Sequence, residues 1–264
     1  MRVVSQNFVL LGRRGLKLAG LAGVATISGS CAKFPANGNA GFTAITVSFT
    51  VAGQINPNYI YDVAFCTATT VNPTSTAWAP VPVINSSNPN GRMAGSPTEF
   101  VEFPSQGGYQ SANPFELYQF ALSSQVSNPN DPTNPVNISA WSPSAIGQIT
   151  NFTTPWTGGD PSTLTFTIYT NELPDTTGTT TGLQSMYLNI LTMTQLASQQ
   201  SGRIIDGLGN SRTVSGLNNF LQINLLTTGT TNNATGFEPT GDTYGGTDPD
   251  VDIVNYSITI SPPG

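Results

Sequence analysis

Four aspartates crowd one stretch near the C-terminus: Asp242, Asp248, Asp250 and Asp252, set among Gly236, Gly241, Gly245 and Gly246. Carboxylates are hard oxygen ligands, and several of them on a glycine-punctuated turn can coordinate Ca2+. The spacing is not that of an EF-hand loop, which needs a bidentate glutamate at its twelfth position. Two readings follow. The aspartates supply ligands to a Ca2+ that pins the terminal strand, or they form a solvated acidic turn. The first is driven by the repulsion between close carboxylates, which a dication relieves. The second requires only water.

Other chemistry is scarce. The chain contains no histidine, which removes a Ser-His-Asp triad, a histidine base and histidine-ligated zinc. Its two cysteines, Cys31 and Cys66, are too few for a thiolate zinc or iron–sulfur site. Cys66 ends an apolar run from Tyr59 and reads as a buried, inert thiol. Glu99 and Glu102 are an odd number of residues apart, so on a strand they face opposite sides and cannot form a glycosidase pair by themselves. No glycine-rich phosphate loop follows a strand. These deficits point to a non-enzymatic protein. Trp78, Trp141 and Trp156 all sit near turns. Exposed there, they would stack on sugar rings; burial is the commoner fate of tryptophan.

Strands must carry these residues. Ile45, Val47, Phe49 and Val51 alternate with Thr46, Ser48 and Thr50, as do Leu164, Phe166 and Ile168 with their neighbours. Such alternation marks half-buried strands. At the C-terminus Val254, Tyr256, Ile258 and Ile260 alternate with Asn255, Ser257 and Thr259. Counting back in twos would put Asp252, Asp250 and Asp248 on the apolar face, where unpaired charge is very costly. The strand therefore begins near Ile253, or a bulge shifts its phase. Asn-Pro turns recur between apolar runs, and helix signals are limited to single turns near Asn171–Asp175 and Thr194–Ala197. The expectation is an all-β fold: one antiparallel β-sandwich of about ten strands with very little helix, spanning residues 38–262.

Composition agrees. Only 8% of residues are charged, against about 25% in ordinary globular proteins, and Thr, Ser, Asn and Gln carry solubility instead. Beyond the N-terminal region, Lys33, Arg92, Arg203 and Arg212 face 14 acidic residues. No basic patch exists to neutralise phosphates, so nucleic-acid partners are not expected.

Residues 1–32 read as an export signal. Arg13-Arg14 precede a short, glycine-diluted apolar run and then small residues. The run is far shorter than a membrane span. It resembles a twin-arginine signal, with the general secretory route as the alternative. Ser28-Gly29-Ser30-Cys31 resembles a lipobox that would lipidate Cys31 and provide the only membrane attachment. Cleavage after Ala32 is the rival.

Glu238-Pro239-Thr240-Gly241-Asp242, followed by Asp252-Ile253 and an alternating strand, resembles a segment of bacterial extracellular β-sandwich modules, including carbohydrate-binding and glucodextranase-like modules. There the acidic run often opens the domain, and here it comes last. The whole chain is similar to exported lipoproteins of environmental bacteria. The resemblance implies a cell-envelope or surface protein with a structural or partner-binding role. The partner would be an extracellular or envelope protein, or a glycan if the chain is a carbohydrate-binding module stabilised by Ca2+.

Overall fold

The computed structural model describes residues 41–70, 79–82, 93–94, 98–105, 107–121, 125–128, 131–137, 140–173, 181–194, 204–213, 219–233, 236–245 and 248–263; the side chains of residues 82, 93–94 and 120–145 stand outside that set. All of these lie in the unit Phe34–Gly264.

The chain runs through β1 (Ala44–Val51), β2 (Tyr59–Ala68), β3 (Val81–Pro82), β4 (Met93–Ala94), β5 (Glu99–Phe103) and β6 (Glu116–Ala121). Next come β7 (Gln125–Asn128), β8 (Asp131–Asn137), β9 (Ala140–Gln148), β10 (Asn151–Thr153) and β11 (Thr163–Tyr169). The last are β12 (Ser185–Thr194), β13 (Ile204–Gly207), β14 (Leu221–Asn224), β15 (Gly229–Asn232) and β16 (Ile253–Ser261). Among the described residues helix is limited to single 3-10 turns, such as Thr170–Glu172 and Pro249–Val251.

One antiparallel sheet has the order β10-β11-β1-β16-β15, and the other β13-β12-β2-β5-β6-β9. The short strands β13 and β14 both pair with β12, at Leu191–Met193 and Ser185–Leu188, so they share one edge of it. The two sheets pack face to face as a β-sandwich.

The core follows from the alternation. Ile45, Val47, Phe49, Leu164, Phe166, Ile168, Tyr256 and Ile258 from one sheet meet Val63, Phe65, Val101, Phe103, Leu188 and Ile190 from the other. Fully burying each such side chain contributes roughly 1.5–3 kcal/mol. The opposite face of β1 and β11 explains the threonine content. Thr46–Thr167, Ser48–Thr165 and Thr50–Thr163 stand in register and join hydroxyl to hydroxyl at 2.8–2.9 Å. Each such pair adds roughly 0.2–1 kcal/mol. In β2 and β12 almost every position is buried. A second cluster, with Ile60, Ala64, Phe100, Tyr118, Leu191 and Met193, covers their outer face.

The terminal strand departs from simple alternation at its start. Tyr256, Ile258 and Ile260 point into the core as expected, but Ile253 takes the inward place and Val254 is only half buried. The register with β1 slips there: Thr50 faces Asn255 and Val51 faces Ile253. Val254 is thus the extra residue of a β-bulge. Its carbonyl accepts from Asn233 Nδ2 at 3.1 Å.

Several elements differ from the sequence reading. Residues 146–152, which the sequence reads as one strand from Ile146 to Phe152, are divided between β9 and β10, with Ile149 buried in the core between them. Strands β13 and β15 carry too few apolar residues to announce themselves: Ile-Ile-Asp-Gly, and the wholly exposed Gly-Thr-Thr-Asn.

Candidate functional site

Asp206, Asp242 and Asp252 converge. Each offers a carboxylate oxygen, and these three oxygens lie within 4.8 Å of one another. Asp206 is fully buried, Asp242 is 3% exposed and Asp252 5%. Glu238, also 3% exposed, is close enough for its charge to act on theirs.

Distant parts of the chain bring these groups together. Asp206 sits on β13 opposite Thr192, beside a register slip between Thr192 and Met193. Glu238 and Asp242 belong to the loop between β15 and β16, and Asp252 immediately precedes β16 and its bulge. Bulges re-aim side chains at sheet edges, and here two of them flank one site. Asn233 fixes the loop: its Oδ1 accepts the Glu238 N–H at 2.8 Å and its Nδ2 donates to the Glu238 carbonyl at 3.0 Å.

Backbone amides aim the carboxylates. Asp206 Oδ1 accepts from Gly207 N at 2.9 Å and its Oδ2 from Ile253 N at 2.7 Å. Asp242 Oδ2 accepts from Ser211 N at 2.7 Å, and Glu238 Oε2 from Gly209 N at 2.6 Å. Both oxygens of Asp252 accept from Gly241 N, at 2.9 and 2.8 Å. Gly209 and Gly241 have φ of +93° and +76°, a left-handed conformation that glycine adopts without steric cost. It turns their amides toward the carboxylates. Glu238 Oε1 and Asp242 Oδ1 are buried and have no hydrogen-bond partner.

The electrostatics follow from this crowding. Burial, then the neighbouring Asp206, pushes Glu238 up to about 10. Burial and Asp242 hold Asp206 well above the carboxylate range, and burial also raises Asp242 and Asp252. Arg212, the one basic residue among the described residues, is exposed and partly offsets the rise at Asp242 and Asp252.

The four aspartates singled out in the sequence divide between two places. Asp242 and Asp252 join the buried cluster. Asp248 and Asp250 instead hold the β1–β2 loop. Asp250 Oδ1 accepts from Gln54 N at 2.9 Å and its Oδ2 from Asn56 Nδ2 at 3.1 Å. Tyr59 donates its hydroxyl to Asp248 Oδ2. Sequence reasoning missed Asp206, which lies outside the acidic run and carries no local signal. It quoted Glu238 only within a resemblance.

A second feature lies elsewhere on the second sheet's flank. Trp156, on the 3-10 turn Pro155–Thr157, is 42% exposed although its ring stacks on Phe103 and leans on Tyr109, with centroids 5.9 and 4.7 Å away. The loop carrying Tyr109 lines a groove of about 200 Å3 with Ser105, Ser111, Asn113, Glu116 and Gln148. Cys31 and Trp78 lie outside the described residues, as does the side chain of Trp141, whose backbone runs in β9. Cys66 is buried.

A row of acids also crosses the second sheet: Glu102 stands opposite Asp62 on β2 and Glu116 on β6. Asp62 and Glu102 are buried there, and so is Glu99.

Comparison with protein-family models, curated proteins and solved structures gives no match to this chain.

Proposed function

We propose that this is a non-enzymatic protein of the bacterial cell envelope or surface, exported by its N-terminal segment, whose work is to bind a partner. The carboxylates of the C-terminal acidic loop and of β13 support this reading by where they are committed. Asp206, Glu238, Asp242, Asp248, Asp250 and Asp252 all accept hydrogen bonds that fasten the protein's own loops. Glu116, which lines the groove, is held by the Tyr118 hydroxyl, which donates to its Oε2 at 2.6 Å. Export is checked by intact mass from the native host. A chain starting at Cys31 with a lipid adduct, or at Lys33 without one, fits; a chain retaining Met1 does not.

Glycan is the partner class favoured by one observation, the half-exposed Trp156 held flat against Phe103 beside Tyr109. A pre-ordered aromatic face stacks on a sugar ring without loss of side-chain freedom. The nearby amides of Asn113 and Gln148, which bond each other at 2.8 Å, offer donors and acceptors for hydroxyl groups. A glycan array with wild-type protein and Trp156→Ala tests this. Binding that falls at least tenfold in the variant supports a glycan surface at Trp156. Binding that survives the substitution, or its complete absence on the array, directs attention to a protein partner instead.

A further inference from the structure

We infer that Asp206, Asp242 and Asp252, with Glu238 beside them, bind one Ca2+ inside the protein, between β13 and the start of β16. Three observations carry this, and none of them depends on the partner-binding reading.

The first is size. Ca2+ takes oxygen ligands at 2.3–2.6 Å, so two ligands of one ion lie at most about 5 Å apart. The carboxylate oxygens of Asp206, Asp242 and Asp252 all fall within 4.8 Å of one another. A single ion can reach all three.

The second is the pair of oxygens left over. Most carboxylate oxygens here accept a backbone N–H, but Asp242 Oδ1 and Glu238 Oε1 accept nothing, on side chains that are 97% buried. A buried acceptor without a donor is unfavourable, and native proteins rarely leave one. Asp242 belongs to the triad itself, so the carboxylate that carries the open oxygen is one of the three that converge. The amides on the other oxygens lock the carboxylate orientations, the role that outer-shell hydrogen bonds have in established metal sites.

The third is charge. Four carboxylates share a buried space, and Arg212, exposed at its edge, is the only cationic side chain among the described residues that acts on them. A dication removes the repulsion. The donor set selects the ion. It is all oxygen and borne largely on loops, which suits Ca2+ and its flexible coordination better than Mg2+, which demands a near-ideal octahedron and retains water. Zinc prefers nitrogen and sulfur, and the chain has no histidine. The ion would clamp the Glu238–Asp252 loop to both sheets, since Asp206 stands on β13 in one and Asp252 leads into β16 in the other.

The competing arrangement is protons shared among the carboxylates, and the experiment separates the two. The full chain, stripped with EGTA, is titrated with CaCl2 at pH 7.5 and followed by native mass spectrometry and thermal unfolding. One Ca2+ per chain is expected, with a Tm rise of about 5–10 °C at a hundred times the dissociation constant. Asp242→Asn should weaken Ca2+ binding at least tenfold, whereas Asp248→Asn, outside the cluster, should keep the full shift. If Asp242→Asn fails to fold, Glu238→Gln and the wild-type ion count take its place. No bound Ca2+ and an unchanged Tm would overturn the inference in favour of shared protons. Equal stabilisation by Mg2+ at the same concentration, or loss of the shift in Asp248→Asn, would overturn it as well.

Discussion

Asp206 on β13 accepts the backbone N–H of Ile253 at 2.7 Å, so one carboxylate ties the edge strand of one sheet to the first residue of the terminal strand in the other. The same side chain accepts from Gly207 and stands in the acidic cluster. Its removal therefore acts on both fold and site.

Asp206→Ala leaves the Ile253 amide without its acceptor, while the Gly207 amide keeps the Ser211 Oγ at 3.1 Å. Each buried donor left unpaired costs roughly 1–3 kcal/mol. Urea unfolding in Ca2+ should show a loss of about 1–3 kcal/mol. In EGTA the loss should be smaller, because removing one carboxylate also relieves repulsion. Asp206→Asn, which keeps one acceptor oxygen, should fall between. An Asp206→Ala protein as stable as wild type would show that the tie is unimportant.

Stability without metal should fall as pH rises. Burial raises Asp206, Glu238, Asp242 and Asp252 above their unfolded values, Glu238 to about 10. Glu238 faces Asp206, Asp242, Asp252 and Tyr256, and the offset from Arg212 reaches only Asp242 and Asp252. Such groups hold protons in the folded state that the unfolded chain has already released. Their stabilising effect is complete below about pH 4, the unfolded carboxylate range, and is lost progressively toward pH 10. Thermal melts in EGTA from pH 5 to 9 should therefore show a declining Tm. A flat or rising profile contradicts the assigned environments.

Gly209 should tolerate no side chain. Its φ is +93°, and an added Cβ would sit 2.2 Å from Asn219 Nδ2. A left-handed non-glycine residue costs roughly 1–3 kcal/mol, before any clash. Gly209→Ala should lower Tm by several degrees and disturb the amide that Glu238 accepts. An unchanged Tm would show that the loop can adjust.

The two faces of β11 should respond very differently. Phe166 is wholly buried among Phe115, Phe152 and the core, so Phe166→Ala should cost about 3–5 kcal/mol. Thr165 bonds the Ser48 hydroxyl at 2.8 Å on the opposite face, with Thr153 of β10 on its other side, and Thr165→Ala should cost under about 1 kcal/mol. Urea midpoints measure both. Comparable losses would mean that the outer face of this sheet is covered.

What the sequence determined by itself was local and periodic. The alternation of Ile45–Val51, Leu164–Ile168 and Tyr256–Ile260 fixes which side of each strand is apolar, because side chains on a strand have a period of two and one face must be buried. The all-β sandwich and the near-absence of helix were legible for that reason. The conflict at Asp252 was legible too: an acidic residue in phase with Tyr256 required a break, and the bulge at Val254 supplies it. Tertiary structure alone decided which acids meet. Asp206 comes from a four-residue strand more than thirty residues before Glu238, and only the pairing of β13 with β12 brings it beside Asp252. Asp248 and Asp250, neighbours of Asp252 in sequence, turn away because the 3-10 turn Pro249–Val251 directs them to Tyr59, Gln54 and Asn56. Proximity along the chain does not set proximity between side chains once a turn and a bulge intervene. Long-range backbone pairing does, and no local residue pattern encodes it.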